Sequence, residues 1–388
     1  MRILIAGLTT RAAAESALKG GLDIVTVDYF GDRDQRARVH NMSLLRDYDQ
    51  PYTVDGLAEA GRELQADGLI YTSNLENYPQ TVADLSRGRE LLGNKPDVLR
   101  RVRDWRVLRA FCTETGLPFA ETLLVGEEDR AKESEQYLRK PVRSGGGHDI
   151  AAWDGAPLDA EHILQAQVDG VPASAAFVAD GEHCLVIGVT EQLIGRDELG
   201  ASGFKWCGNI LPVCHSGEER RLLADRLVDM VTHLTRRFGL VGVNGIDVVL
   251  ARDDAGRPFP VLVEVNPRYT ASMELVEGAQ DLSVLALHVE AVRTGVPPGL
   301  SLDPYGPQVG FYGKAVVYAR SDVVIPETGH WVESGRRDVP YPGERIASGH
   351  PICTVFSAED ERSTCWEALL GAASGVRREI GDRMGGKA

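Results

Sequence analysis

The sequence predicts an α/β unit at the N-terminus, followed by α+β lobes and a small β-rich C-terminal segment. Three observations carry this. Residues 2–28 alternate strand, helix and strand. Asp180-Gly181 joins two apolar runs as a hairpin. A second hairpin joins 248–250 to 261–265.

The elements follow in chain order. Arg2–Ala6 (RILIA) reads as a buried strand, Gly7-Leu8-Thr9-Thr10 as a turn, and Arg11–Lys19 as a helix ended by Gly20-Gly21. Asp23–Asp28 is the next strand, so the unit is βαβ and its sheet parallel. The turn lacks the second glycine of a dinucleotide fingerprint and reads as structural. Leu69–Tyr71 is a later strand of that sheet, with Thr72–Pro79 as the loop after it. Leu91-Leu92-Gly93-Asn94 marks a break, and helical sequence runs from Pro96 to Thr115. Short strands occupy 137–189, and Glu218–Phe238 is an amphipathic helix. Residues 253–258 turn the second hairpin. Beyond Tyr305 the chain is rich in glycine and proline, with short β-like runs, and ends in a helix near Trp366–Ile380.

Composition narrows the function. The 388 residues are 43% hydrophobic and 26% charged, the balance of a folded protein of two to four packed units. A net charge of −15 repels phosphate backbones and anionic lipid, which argues against nucleic-acid and membrane partners. The opening MRILIAG lacks the pattern of a signal peptide, and no apolar run is long enough to span a bilayer. Six scattered cysteines read as reduced thiols, so the expected location is cytoplasmic. Cys207, Cys214 and His215 fit no common zinc spacing.

The strongest chemical signal is Gly242-Val243-Asn244-Gly245-Ile246-Asp247 followed by Glu264-Val265-Asn266-Pro267-Arg268. Residues two apart on a strand share a face, so Glu264 and Asn266 project together and Asp247 meets them from the partner strand. Two carboxylates and an amide oxygen suit Mg²⁺ (or Mn²⁺) shared with substrate phosphates. Arg268 sets a guanidinium beside them, able to grip a carboxylate or phosphate by paired hydrogen bonds. Among β-branched neighbours, such a carboxylate is costly unless a cation compensates it. A second signal is Lys140 ahead of Ser144-Gly145-Gly146-Gly147, a loop able to fold over an anion. It is not a P-loop, because no Gly-Lys-Ser/Thr follows. A third is the stretch from Gln165 to Ser174, a strand and turn able to offer backbone groups and Gln165 to an adenine.

Order and spacing together resemble the ATP-grasp superfamily over residues 1–300. The resemblance implies a Rossmann-like pre-ATP-grasp domain (1–93), a helical linker and small lobe (94–174), a large lobe with the Mg²⁺ site (175–300) and a β-rich C-terminal segment (301–388). It implies that Lys140 and the loop Ser144–Gly147 contact ATP phosphates, that Gln165 and Val168 meet the adenine, and that Asp247, Glu264 and Asn266 hold Mg²⁺. Arg268 would face the reacting carboxylate or acyl phosphate. Ser174 is the candidate ribose contact, where an acid is usual, and Lys205 a loosely matched phosphate contact. A further departure is Arg103-Asp104-Trp105, where many members carry a lysine after Arg-Asp; either an arginine (Arg103 or Arg106) substitutes or that contact is absent. Cys207–Pro212 and the residues after Arg268 resemble a branch of predicted ATP-dependent carboligases related to biotin carboxylase. A related branch couples glutamate to tyramine.

The resemblance implies a carboxylate–amine ligase that uses ATP and Mg²⁺, forms an acyl phosphate, and joins small-molecule acid and amine substrates, such as glutamate and a cofactor precursor. The alternatives are a bicarbonate-using carboxylase, or an ATP-binding protein without catalysis. Glu76 and Asn77, after the strand 69–71, are placed to help bind the second substrate. Dimers are common among such enzymes, and no feature of this sequence shows one.

Overall fold

The computed structural model describes residues 1–132, 134–213, 217–296, 299 and 310–381. Cys214 and His215 lie outside them. The opening βαβ unit forms as the apolar pattern requires. Strands β1 (Arg2–Ala6), β2 (Asp23–Asp28), β3 (Asn41–Ser43), β4 (Gly68–Tyr71) and β5 (Glu90–Leu91) make a parallel sheet in the order β3-β2-β1-β4-β5. The order reverses between β1 and β4. A crevice therefore opens at their carboxyl ends, where α/β sheets collect ligands. The loop after β4 holds a short 3₁₀ turn, Leu75–Asn77.

The helical stretch after Gly93 is two helices, Pro96–Val102 and Trp105–Thr115, because Asp104 caps the second by accepting the Arg106 N–H at 2.8 Å. Strands β6 (Thr122–Leu123), β7 (Tyr137–Pro141), β8 (Ala151–Ala152) and β9 (His162–Ala166) then build an antiparallel sheet in the order β6-β9-β7-β8.

The largest sheet has seven strands. These are β10 (Val171–Asp180), β11 (Cys184–Ile194), β12 (Trp206–Leu211), β13 (Val241–Arg252), β14 (Pro258–Asn266), β15 (Phe311–Tyr318) and, after a two-stranded ribbon (β16, Val323–Val324, with β17, Arg345–Ile346), β18 (Pro351–Glu359). Their order is β14-β13-β10-β11-β12-β15-β18, all antiparallel. Both hairpins read from the sequence are present and longer than expected. β10 spans residues 171–180, so it belongs to this sheet on both sides of residue 174. The C-terminal strands β15 and β18 add to the same sheet rather than forming a separate one.

Alternation along β10 explains why both faces are covered. Ala173, Ala175, Phe177 and Ala179 pack with Leu227, Met230 and Leu234 of the helix Gly217–Phe238. Ala176 and Val178 face the other way, into a core with Met273, Val276 and Leu285 and with Ala13 and Ala17 of the first helix. That second core ties the N-terminal sheet to the large one. The helix Arg362–Ile380 closes β15 and β18 through Leu369, Ala373 and Val376. Among the described residues, no helix is long and apolar enough to cross a membrane.

Candidate active site

The site grows from the β13–β14 hairpin. The ladder sets Asp247 opposite Glu264, and Gly245 opposite Asn266, with a bulge just after Asp247. Asp247, Glu264 and Asn266 therefore meet as their spacing predicts. Asn266 Nδ2 donates to Asp247 Oδ2 at 3.1 Å and to Glu264 Oε1 at 3.2 Å. One amide nitrogen thus fills the point where two carboxylates converge. Turning that amide over would present three oxygens to one point, in exchange for the bond that Asn266 Oδ1 accepts from Arg268. This donor set fits Mg²⁺.

The electrostatics agree with a cation-seeking site. Burial and the facing Glu264 push Asp247 above the usual carboxylate range, against the pull of the Ser174 hydroxyl. Burial acts on Glu264 in the same direction, but Arg103 and Lys140 outweigh it and hold that carboxyl below its ordinary value. Burial also lowers Lys140, opposed by Glu264 and Asp247.

Two strands of the small sheet deliver Lys140. Its Nζ donates to Gln165 Oε1 at 2.8 Å, and Gln165 Nε2 donates to Thr122 Oγ1 and to the Val263 carbonyl. Gln165 is thus bound up with Lys140 and β14, with its side chain buried. Val168 lies half-buried beside Ala120, Ala251 and Val261. Ser174 Oγ donates to Asp247 Oδ1 at 2.7 Å, which puts this hydroxyl in the acidic cluster. Gln192 Nε2 donates to the same oxygen at 2.9 Å.

The glycine loop folds as its sequence allows. Gly146 and Gly147 have φ of 64° and 73°, in the left-handed region. A Cβ on Gly147 would overlap the Phe204 carbonyl, and Trp206 N–H donates to Gly146 O at 2.9 Å. Ser144 Oγ donates to His148 O, and Gly145 has open space around it. The loop therefore rests on residues 204–206. Lys205 sends its ammonium to the Gly349 carbonyl at 2.7 Å and over the Tyr318 ring, into the C-terminal segment.

Arg268 does grip a carboxylate, and it is the protein's own. Its Nε donates to Glu76 Oε1 at 2.8 Å and its NH2 lies 2.8 Å from the same oxygen. NH2 also reaches Asn266 Oδ1 at 3.3 Å. Of the two arginines near the missing lysine, Arg103 enters the site. Its NH1 donates to Val265 O at 2.8 Å and lies 3.5 Å from Glu264 Oε2, while its Nε donates to Asn77 Oδ1. Arg106 is exposed.

Sequence reasoning missed three supporting residues. Gln192 ends the polar stretch Thr190-Glu191-Gln192 in the otherwise apolar β11, a signal available in the pattern. Thr122 and Asn94 carry no such mark. Asn94 donates to Asn244 Oδ1 and the Pro267 carbonyl, and Tyr71 OH donates to that carbonyl at 3.0 Å, so the turn before Arg268 is held from the N-terminal sheet.

Residues 108–272 match the family described as the ATP-grasp domain. The stretch 108–272 is thus identified with an ATP-grasp domain. The match begins within the helix before the small sheet and ends just past Arg268, so it contains Lys140, the glycine loop and the acidic cluster. Along 382 residues the chain is 21% identical to an uncharacterized protein of Methanocaldococcus jannaschii, covering 94% of this chain and 90% of that one. Its fold is similar to the biotin carboxylase domain of Hydrogenobacter thermophilus 2-oxoglutarate carboxylase in complex with MgADP and bicarbonate. That likeness has a TM-score of 0.69 and 12% identity, over 98% of this chain and 90% of that one. It is also similar to the L-amino acid ligase of Bacillus licheniformis, with a TM-score of 0.65 and 15% identity over 97% of each chain. The α/β start and the antiparallel lobes are thus the ATP-grasp architecture that the sequence implied.

Proposed function

We propose that this protein is an ATP-dependent carboxylate–amine ligase that releases ADP and phosphate. The observation that carries the reading is the convergence of Asp247, Glu264 and Asn266 on one point, ringed by Lys140, Arg103 and Arg268, inside an ATP-grasp domain. Asp247, Glu264 and Asn266 would hold Mg²⁺, which supplies charge neutralisation at the phosphates. Lys140 and the loop Ser144–Gly147 orient the terminal phosphoryl group, with Lys205 supporting the loop from below. Gln165 fixes Lys140, and Val168 offers an apolar edge to the adenine. Ser174 orients Asp247. A carboxylate oxygen of the acid attacks the γ-phosphorus and ADP leaves with the bonding pair. The amine then attacks the acyl carbon, phosphate leaves, and the amine's protons pass to solvent. Positioning and fixed charge supply the rate, so no nucleophilic side chain is needed. The substrates are small molecules, an amino acid such as glutamate among them.

The likeness to a biotin carboxylase domain favours one second reading, activation of bicarbonate in place of an organic acid. Purified protein with Mg-ATP, presented with a panel of acids and amines and read for ADP and for product mass, separates the two. A product equal to acid plus amine minus water is expected. ADP release that needs bicarbonate and no amine would replace the ligase reading with the carboxylase.

A further inference from the structure

Glu76 stands at the carboxyl end of β4, beside the point where the order of the parallel sheet reverses. It is 1% exposed. One carboxylate oxygen, Oε1, takes the Arg268 guanidinium. The other, Oε2, is buried with no hydrogen-bond partner. Its neighbour Asn77 repeats the pattern: Oδ1 takes Arg103, and Nδ2 is buried without a partner. One turn therefore holds both active-site arginines and keeps one acceptor and one donor unused.

An unsatisfied buried polar atom costs about 1–3 kcal/mol, and more when charged. Two on adjacent residues of one turn, in side chains whose other oxygens hold Arg268 and Arg103, mark a place completed by a ligand. The ligand must bring a donor to Glu76 Oε2 and an acceptor to Asn77 Nδ2. A primary amine with an oxygen acceptor on the neighbouring carbon, as in an α-amino acid, meets both demands. A neutral amine donates an N–H to Oε2 and keeps its lone pair for the attack, so the carboxylate already paired with Arg268 takes no second cation.

We propose that Glu76 Oε2 and Asn77 Nδ2 are the anchor for the amine substrate, and that the amine is an α-amino acid. This rests on the ligase reading, and the test keeps the two apart. Acid activation is read with hydroxylamine, a small nucleophile uncharged at neutral pH, which traps an acyl phosphate as a hydroxamate without needing the amine anchor. The amine site is read with L-glutamate and, as a control lacking the acceptor oxygen, methylamine. Glu76→Gln keeps a carbonyl for Arg268 and puts an NH₂ where Oε2 stands.

The expected result is a rise of about 10–100-fold in KM for L-glutamate, the loss of one hydrogen bond to a charged group, with hydroxamate formation falling by a clearly smaller factor through the weakened Arg268 pair. Glu76→Asp, which keeps the charge and shortens the reach, should fall between wild type and Glu76→Gln. If only the aspartate variant folds, the same split between glutamate and hydroxylamine decides. Equal losses with both nucleophiles would overturn the anchor and leave Glu76 as a residue that only orients Arg268. Hydroxamate formation by a wild-type enzyme that accepts neither L-glutamate nor other α-amino acids would overturn it too. No hydroxamate with any acid would defeat the ligase reading itself, and the anchor with it.

Discussion

Two buried clusters of charge differ in a way that separates function from architecture. Behind the active-site turn, Arg11 is 1% exposed and donates to Asp338 at 2.8 and 3.1 Å, to Glu274 at 3.1 Å and to Glu15 at 3.2 Å. Lys314 joins it by donating to Glu274 and to the Ala271 carbonyl. Asp34 accepts the backbone N–H groups of Asp338 and Val339. This cluster pins the first helix, the helix Met273–Gln280 and the C-terminal segment together, with its cations and carboxylates paired. At the β13–β14 hairpin, two carboxylates stand directly opposite each other with only an amide nitrogen between them. Like charges placed so destabilise a sheet. The first cluster pairs its cations and carboxylates one against another; the second keeps two facing carboxylates together, with Arg103 and Lys140 acting on Glu264.

The largest expected effect tests that contrast at the hairpin cluster. Glu264→Gln should lower amine-dependent ADP formation at least about 10²–10³-fold, the scale for removing one preorganised electrostatic contact. Its thermal midpoint should fall only modestly, because relief of the facing Asp247 offsets part of the lost attraction from Arg103 and Lys140. A variant with wild-type turnover would remove Glu264 from the metal set. One that unfolds would assign the hairpin carboxylates to structure.

The paired cluster should answer in the opposite sense. Arg11→Met removes one cation from among four carboxylates, leaves Asp338 without its cation and leaves Glu274 with Lys314 alone. The cost should be about 3–5 kcal/mol in urea unfolding, with turnover of the folded fraction close to wild type. A stable but inactive Arg11→Met would show that the junction shapes the turn around Arg268 during the reaction.

What the sequence made legible follows from range. The period of two in β13 and β14 put Asp247, Glu264 and Asn266 together, and the turn between the strands is local, so no distant information was needed. The opening βαβ unit was readable for the same reason. The partners of Arg11 were not, since Asp338 lies 327 positions away and nothing in a helix start names it. Nor was the union of β12 with β15, a pairing between distant strands whose register no turn sets. Lys205 shows the same limit. It was read as a loosely matched phosphate contact, and its ammonium instead binds the carbonyl of Gly349. Arg268 was read as a grip for a carboxylate, and which carboxylate holds it depends on a sheet nearly two hundred residues upstream, 192 positions by count.

A smaller effect separates two buried groups that titrate in opposite senses inside one helix pair. His288 accepts the Val243 N–H at Nδ1 and donates from Nε2 to the Leu92 carbonyl, so it is held neutral. Burial lowers it to about 4. Its contribution is present above pH 6.5 and is lost as pH falls toward 4, because the unfolded chain binds the proton first. Burial raises Glu277 to about 7, against hydrogen bonds from Ser16, Val284 and Tyr269. Its contribution is present below pH 4.5 and is lost as pH rises through 7, because the folded form now holds the proton longer. Each shift amounts to about 3 kcal/mol at the order-of-magnitude level, so between pH 4.5 and 6.5 the two slopes oppose and largely cancel. Glu277→Gln should expose the histidine slope: relative to wild type, its stability should climb as pH goes from 4.5 to 7. His288→Gln should show the reverse, a fall over the same range relative to wild type. Parallel pH profiles for wild type and both variants in urea unfolding would mean that neither group changes its proton on folding.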